Sequence, residues 1–397
     1  MKTSELYKNK EDCCGCELCA QVCPQSLIQM KADEVGFLYP IIEDDTNCIN
    51  CKKCIKVCPS KIKGRESHNV KESYSFSLSN DDDVRKSASG GLATALGRFF
   101  ISMGGIVYGV SYSSDCLDVC YERADTYEKI ESFRGSKYVQ ASKEKLYSSL
   151  KNDIRLRKKV LFIGLPCEVS AVYHALGVPP NLYTVSLICH GPTSLKVHKD
   201  YCLNLLNIFN SSLLSFSLRY KFTGWKPYYV HAVFDDGKEY LVPFKNTDYN
   251  TAFLYLKRPS CRSCKYKAEN ESFGLLSDLI IGDFHGVSTK SVMYNKWGVS
   301  QCSILTNKGY DLFKHLKDIY RVETIPYSTI KSTNRGMFMA IPQRGNFTKF
   351  VFDYNRHSLH YACTSFHVKK TNLLFELDFF MTRIQFAFVK IIKKIIK

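Results

Sequence analysis

Cys13-Cys14-Gly15-Cys16-Glu17-Leu18-Cys19-Ala20-Gln21-Val22-Cys23-Pro24 and, further along, Cys48-Ile49-Asn50-Cys51-Lys52-Lys53-Cys54-Ile55-Lys56-Val57-Cys58-Pro59 are two copies of one pattern, C-x2-C-x2-C-x3-C-P. A 4Fe-4S cube takes four thiolates that converge on its irons. A tight loop presents three of them, and a short helical turn ending in proline holds the fourth away, toward the other cube. That rule assigns Cys13, Cys16, Cys19 and Cys58 to one cube, and Cys48, Cys51, Cys54 and Cys23 to its neighbour. Zinc also takes C-x-x-C pairs, but a zinc ribbon does not require a third cysteine at x2 and a fourth before proline, in duplicate. Cys14 lies outside the pattern and reads as a packing residue or a free thiol near the cube.

The cysteine usage of the whole chain agrees. Nine of the eighteen cysteines lie between Cys13 and Cys58. The start, Met1 to Cys13, is polar and lacks the apolar segment of an export signal, and no run of eighteen uncharged apolar residues occurs, so the expected location is the cytoplasm. Cytosolic thiols stay reduced, which makes most of these cysteines candidate metal ligands rather than disulfides. Cys116, Cys120, Cys202, Cys302 and Cys363 lack a partner pattern and read as core or free thiols.

The chain has 397 residues, 45% of them apolar and 13% aromatic, enough for a sizeable core and two or three domains. Residues 1–64 form the cysteine-rich module, an α+β ferredoxin-like unit. Residues 65–83 are polar, end in Asp81, Asp82 and Asp83, and read as a linker. From 84 to 345 apolar and amphipathic runs alternate between glycine and proline breaks, the mark of a larger α/β domain with an N-terminal part 84–158 and a C-terminal part 159–345. Ser89-Gly90-Gly91 opens a helical run to Phe100, and Gly104-Gly105 turns it into a strand over Ile106–Val110. Lys159–Ile163 reads as a buried strand, Gly164–Cys167 as a turn and Glu168–Leu176 as a helix closed by Gly177. Val185–Ile188 is a strand leading through Cys189-His190-Gly191-Pro192-Thr193 to a helix from Ser194. In open α/β sheets ligands gather at the carboxyl ends of strands, so these turns are expected near one another. Glycine turns at helix N-termini suit a diphosphate, and Cys261-x-x-Cys264 adds a second thiol pair that Cys167 and Cys189 can meet.

The extension 346–397 ends in a different pattern. Leu373, Leu374, Leu377, Phe380, Ile384, Phe388, Ile391, Ile392 and Ile395 recur at helical spacing, with Glu376 and Asp378 early and Lys390, Lys393, Lys394 and Lys397 late. This is a basic amphipathic C-terminal helix, either a peripheral contact with the inner face of a membrane or a helix packed on protein.

Beyond the cysteine module, the sequence resembles the coenzyme F₄₂₀ hydrogenase/dehydrogenase beta subunit family. The likeness runs through Lys86-Ser87-Ala88-Ser89-Gly90-Gly91, Gly135-Ser136-Lys137-Tyr138-Val139-Gln140, Gly164-Leu165-Pro166-Cys167-Glu168, Cys189-His190-Gly191, Phe216 to Trp225, Cys261-x-x-Cys264 and Ser277 to Gly286. With the cysteine module it covers roughly residues 1–345 in the family's order. The resemblance implies an oxidoreductase whose larger domain holds FAD as well as iron–sulfur, the flavin exchanging hydride with a small soluble substrate and single electrons with the clusters. By that analogy Ser87, Ser89, Gly90, Gly91, Ser136, Lys137 and Tyr138 lie near the flavin, against the plainer reading of Ser136 and Lys137 as a surface turn. Cys167, Cys189, Cys261 and Cys264 are expected to hold a third 4Fe-4S cluster, against zinc or simple burial. His190 and His285 are candidate proton donors to a substrate or satisfied core histidines. Asp278 and Asp283 are candidate partners of a ligand's polar edge or turn caps.

The formal charge of +17 does not require nucleic acid. Three clusters at roughly two negative charges each, with a flavin diphosphate, bring it to about half, and no helix-turn-helix or other nucleic-acid module stands out. An acidic redox partner or membrane surface accounts for the rest. The expected partners are a soluble electron carrier or partner redox enzyme and a small-molecule substrate. A non-catalytic electron-transfer subunit and an iron–sulfur redox sensor are the competing readings.

Overall fold

The computed structural model describes residues 2–62, 67–270, 273–342 and 345–366. The basic helix expected beyond residue 370 lies outside these residues. No helix among the described residues is long and apolar enough to cross a membrane.

In the cysteine-rich module the two repeats fold alike. Each loop turns into a four-residue helix, Leu18–Gln21 and Lys53–Lys56, through a left-handed residue at the same repeat position, Glu17 (φ 64°) and Lys52 (φ 54°). Strands β1 (Gln29–Ala32) and β2 (Leu38–Ile41) pair antiparallel beside them. The module's own core is small, built on Leu6, Ile28 and Cys54. That is too little to stand without ligation or a neighbour.

The large unit is an eight-stranded mixed sheet. Its strands are β3 (Glu72–Ser77), β4 (Ile106–Tyr112), β5 (Val119–Ala124), β6 (Val160–Gly164), β7 (Leu182–Leu187), then, beyond a separate sheet of β8 (Leu213–Tyr220), β9 (Tyr229–Phe234) and β10 (Glu239–Pro243), strands β11 (Leu279–Asp283), β12 (Ser300–Ile304) and β13 (Arg321–Thr324). The order is β13-β3-β12-β11-β7-β6-β4-β5, with β4, β6, β7 and β11 parallel. Alternate residues feed two apolar layers. Val107, Leu161, Val185 and Leu279 meet the helices Leu92–Ser102 and Asn307–Lys317. Ile106, Val160, Phe162 and Leu182 meet the helices Leu146–Arg155 and Pro166–Leu176, and Cys16 and Leu18 of the cysteine module join that second layer. The antiparallel β10-β9-β8 sheet packs with the helix Leu195–Phe209 and with Val35, Phe37 and Tyr39 of the module.

The helix after β6 begins at Pro166, whose fixed φ and missing N–H suit a first helical position, so Cys167 is already helical. The stretch 65–83 is a different matter. It contains β3, hydrogen-bonded to β12 on one side and β13 on the other, with Phe76 fully buried. The small Ser73, Ser75 and Ser77 alternate with Tyr74 and Phe76, and all five are buried, so a stretch that reads as a polar linker is an inner strand. Phe76→Ala is expected to cost about 3–5 kcal/mol in urea denaturation. A change within about 0.5 kcal/mol, as at an exposed site, would remove β3 from the sheet.

Candidate functional site

Thirteen of the eighteen cysteines gather in three places. Cys23, Cys48, Cys51 and Cys54 wall one void of about 20 Å³ near the module's surface. Deeper, Cys13, Cys19 and Cys58 act on one another's charge, and Cys16 lies beside Cys19. Burial pushes the Cys58 thiol up to about 11, with Cys14 and Cys13 adding to it.

This inner group sits on a seam with the large unit. Arg258 is buried there and spends its donors across it: Nε on the Cys13 carbonyl at 2.8 Å, one terminal nitrogen on Gln140 at 2.8 Å, the other on the Leu38 carbonyl at 2.9 Å and near the Cys13 sulfur at 3.5 Å. Its guanidinium covers the Tyr39 ring. Gly15, at φ +67°, leaves room for it, since a Cβ there would stand 2.6 Å from the Arg258 guanidinium carbon. Lys143, 1% exposed, places its ammonium 3.0 Å from Glu168 and 4.0 Å from Glu17, and its backbone N–H donates to Glu17. Burial works against that charge, but Glu168 and Glu17 outweigh it and hold the Lys143 pKa above the ordinary lysine value.

Across the seam lies a larger cavity of about 120 Å³, lined by Cys167, Cys189, Cys261, Cys264 and Cys14. Cys167 follows β6 and Cys189 follows β7, so neighbouring parallel strands deliver them to the same edge. Cys261 and Cys264 arrive on the turn that Arg258 anchors. Burial raises the Cys189 and Cys264 thiols, and the buried Lys267 ammonium opposes it at both, favouring the thiolate a metal requires. Four sulfurs from three segments around one cavity form a donor set that fits a 4Fe-4S cube. Among the described residues, no three His, Cys, Asp or Glu close on a single-ion site. Cys14, which falls outside the repeat pattern, contacts Cys16 of the inner group and Cys167 of this cavity, so the cavity has a fifth thiol.

The residues with a predicted flavin role fall into one network. The Ser87 hydroxyl donates to the Asp83 carbonyl at 2.9 Å and accepts from Arg134 at 3.3 Å. Ser89 pairs with Ser300 at 2.8 Å, and its carbonyl accepts from Lys221 at 2.9 Å. At Gly90 a Cβ would strike the Phe76 carbonyl at 2.2 Å and the Ser300 nitrogen at 2.6 Å, so this glycine serves close packing on β3 and β12. Gly91 has φ +90° and precedes the first residue of the helix Leu92–Ser102. Lys137 donates to the carbonyls of Ser132 and Arg134, both at 2.9 Å, and burial pulls its pKa down to about 7. Ser136 hydrogen-bonds Tyr138, whose ring packs on Phe244 and Phe253.

Unlike Lys137, three further basic residues here were not legible in the sequence. Arg134, Arg219 and Lys221 act on a common neighbourhood. Burial pulls Lys221 down to about 6, and the charge of Arg219 adds to that. The Nε atoms of Arg134 and Arg219 are buried without a hydrogen-bond partner. Orphaned donors beside a glycine turn fit an anionic group such as a diphosphate. Arg219 and Lys221 stand inside the quoted stretch Phe216 to Trp225, and Arg134 precedes Gly135, but single basic residues carry no periodic signal.

Arg219 grips Asp283 with two hydrogen bonds, 3.2 and 2.8 Å, at the carboxyl end of β11. Burial disfavours the Asp283 charge, but Arg219 outweighs it and holds the carboxyl below its usual range. His285 lies 3.9 Å from Asp283 and stacks on Trp225. His190 lines the sulfur cavity, where burial and then the charges of Lys267 and Lys257 lower it to about 4. A neutral imidazole of that kind carries little proton to give at pH 7. Asp278 accepts from the Thr184 backbone at 2.9 Å and from Thr306 at 2.7 Å, and so stitches the sheet together at the opposite end of β11.

The C terminus of the coenzyme F420 hydrogenase/dehydrogenase beta subunit matches residues 157–329, and 4Fe-4S dicluster domains match residues 12–62 and 40–86. Residues 157–329 thus carry the C-terminal domain of that beta subunit, behind N-terminal 4Fe-4S dicluster domains. The chain is an iron–sulfur, electron-transfer protein with an N-terminal dicluster module. A chain of the F420-reducing [NiFe] hydrogenase complex from Methanosarcina barkeri, solved with xenon derivatization, is similar at 22% identity and a TM-score of 0.46, over 67% of this chain and 86% of that one. No curated protein matches.

Asp83 ties the Ser87 turn to the helix Leu92–Ser102 through Arg98 at 2.8 Å and to the Gly135-Ser136 segment through Arg134 at 3.0 Å. Arg98 first, then Arg134 against the pull of burial, hold its carboxyl at about 2. The folded value lies below the unfolded one of about 3.9, so this stabilisation is present above about pH 4 and is lost as pH falls toward 2. Asp83→Asn is expected to flatten the stability profile over that window, read from denaturation midpoints. An unchanged slope would remove Asp83 from the acid response.

Proposed function

We propose that the chain is a flavin- and iron–sulfur-dependent oxidoreductase that passes electrons between its dicluster module and an FAD at the strand ends of the large sheet. The substrate is a small soluble hydride donor or acceptor, with the deazaflavin in the family's name the first to test. The observation that carries this reading is the five-thiol cavity on the seam, with the module's inner cysteines on one side and the strand ends bearing Arg219, Asp283 and His285 on the other.

Cys13, Cys16, Cys19 and Cys58 would hold the inner cube, Cys48, Cys51, Cys54 and Cys23 the outer one, and Cys167, Cys189, Cys261 and Cys264 a third. When bound, the cubes supply one-electron exchange and the flavin converts between single electrons and hydride. The protein's share is placement and charge. Arg134 and Lys221 with the Ser87–Gly91 turn would face the diphosphate, and the unmatched Arg134 Nε would gain a partner on binding. Arg219 fixes the Asp283 carboxylate, leaving one polar edge at the end of β11 for a ring or substrate. His285, half-buried beside Asp283, is the better placed histidine to hold a proton there, because that carboxylate opposes the effect of burial on it.

Anaerobically purified protein is expected to carry, or to take up, one FAD per chain, with a flavin absorption that dithionite bleaches. Arg134→Ala is expected to lower flavin occupancy several-fold at unchanged iron content. Protein that holds its iron and neither retains nor binds FAD would leave an electron-transfer subunit without a converter, which is the competing reading.

A further inference from the structure

The two faces of the cysteine-rich module differ. The inner group is covered: Cys16 is buried, the Tyr147 hydroxyl donates to its carbonyl at 2.6 Å, and Arg258 closes over Cys13. The outer void is not. Its wall of Cys23, Cys48, Cys51 and Cys54 is completed by Ile49, Lys52 and Lys53, and Ile49 is 61% exposed. Residues 46–62 contain Lys52, Lys53, Lys56 and Lys61 and no acidic residue. Lys61 is committed to the Glu5 carbonyl at 2.6 Å, while Lys52, Lys53 and Lys56 are exposed.

The nearest acids in sequence face other tasks. Glu43 pairs with Lys31, and the Asp44 side chain accepts from the Thr46 backbone at 2.9 Å. None of them lines the void. An exposed apolar residue beside three exposed lysines has the anatomy of a small transient interface, an apolar centre with a polar rim. Redox encounters of this kind bury little area and depend on charge to form quickly.

We infer that the face formed by Ile49, Lys52, Lys53 and Lys56 docks an acidic one-electron carrier protein. The inference rests on the proposed electron-transfer function and adds the place and the chemistry of the partner. Complementary charge steers the carrier to the one side of the module where cysteine sulfurs lie under a thin, solvent-facing wall. The inner side, covered by the large unit, is closed to a protein of any size.

The test uses the full-length holoprotein under anaerobic conditions and two reductants, a reduced acidic two-cluster ferredoxin and a zwitterionic viologen of zero net charge. The substitutions are Lys52→Glu, Lys53→Glu and Lys56→Glu together, with the three Lys→Gln changes as a milder set should the first lose iron. In stopped flow the wild-type rate with ferredoxin is expected to fall as salt rises, and the charge-reversed protein to be slower by about tenfold or more at low salt. The viologen rate is expected to stay within about twofold. Equal ferredoxin rates for wild type and variant at matched iron content, or a salt-independent wild-type rate, would overturn the docking face. If viologen reduces the iron–sulfur absorption but never the flavin, the functional reading fails instead, whatever the ferredoxin rates.

Discussion

The buried Lys143 ammonium is the constraint on which the rest of the arrangement depends. One partner, Glu17, follows Cys16 in the dicluster module. The other, Glu168, follows Cys167 at the end of β6. A charge this deep is tolerated only with its counter-charges in place, and removing one partner of such a group typically costs 3–5 kcal/mol. One lysine therefore fixes two cysteine loops, from opposite sides of the seam, relative to each other. Arg258 repeats the device: it binds the Cys13 and Leu38 carbonyls while standing on the turn that delivers Cys261 and Cys264.

From the surface inward, the molecule presents an open sulfur-lined void, a covered group of cysteines, a five-thiol cavity and a cluster of cations at the strand ends. Each lies against the next in the structure, although their residues are scattered from Cys13 to Asp283. The parallel strands supply the inner half of this order, because β6, β7 and β11 end at one edge and the segments that follow them carry Cys167, Cys189 and His285. The charge pattern changes along the same line, from exposed lysines outside to buried, partly unsatisfied arginines within. The first suits a passing macromolecule and the second a tightly held anion.

Much of this was legible in the sequence where a local rule operates. The duplicated cysteine spacing, the strand over Val160–Gly164, the helix closed by Gly177 and the Ser194 cap all follow from short-range geometry. What could not be read depends on neighbours distant in the chain. Strand β3 looks polar because its serines are small enough to sit between packed strands, a fact set by β12 and β13. Arg134, Arg219, Lys221 and Lys267 are isolated basic residues until the fold converges on them. Cys14 has no place in the repeat and gains one only when Cys167 arrives beside it. The converse also holds, since Gly90 suggests a ligand turn and is explained by its tight approach to Phe76 and Ser300.

The seam cavity is proposed to complete a chain of three cubes. Quantifying iron and acid-labile sulfide in anaerobically reconstituted protein, alongside electron paramagnetic resonance, tests it most directly. About twelve irons per chain are expected. About eight, with the seam cysteines still reactive toward a thiol reagent, would contradict it.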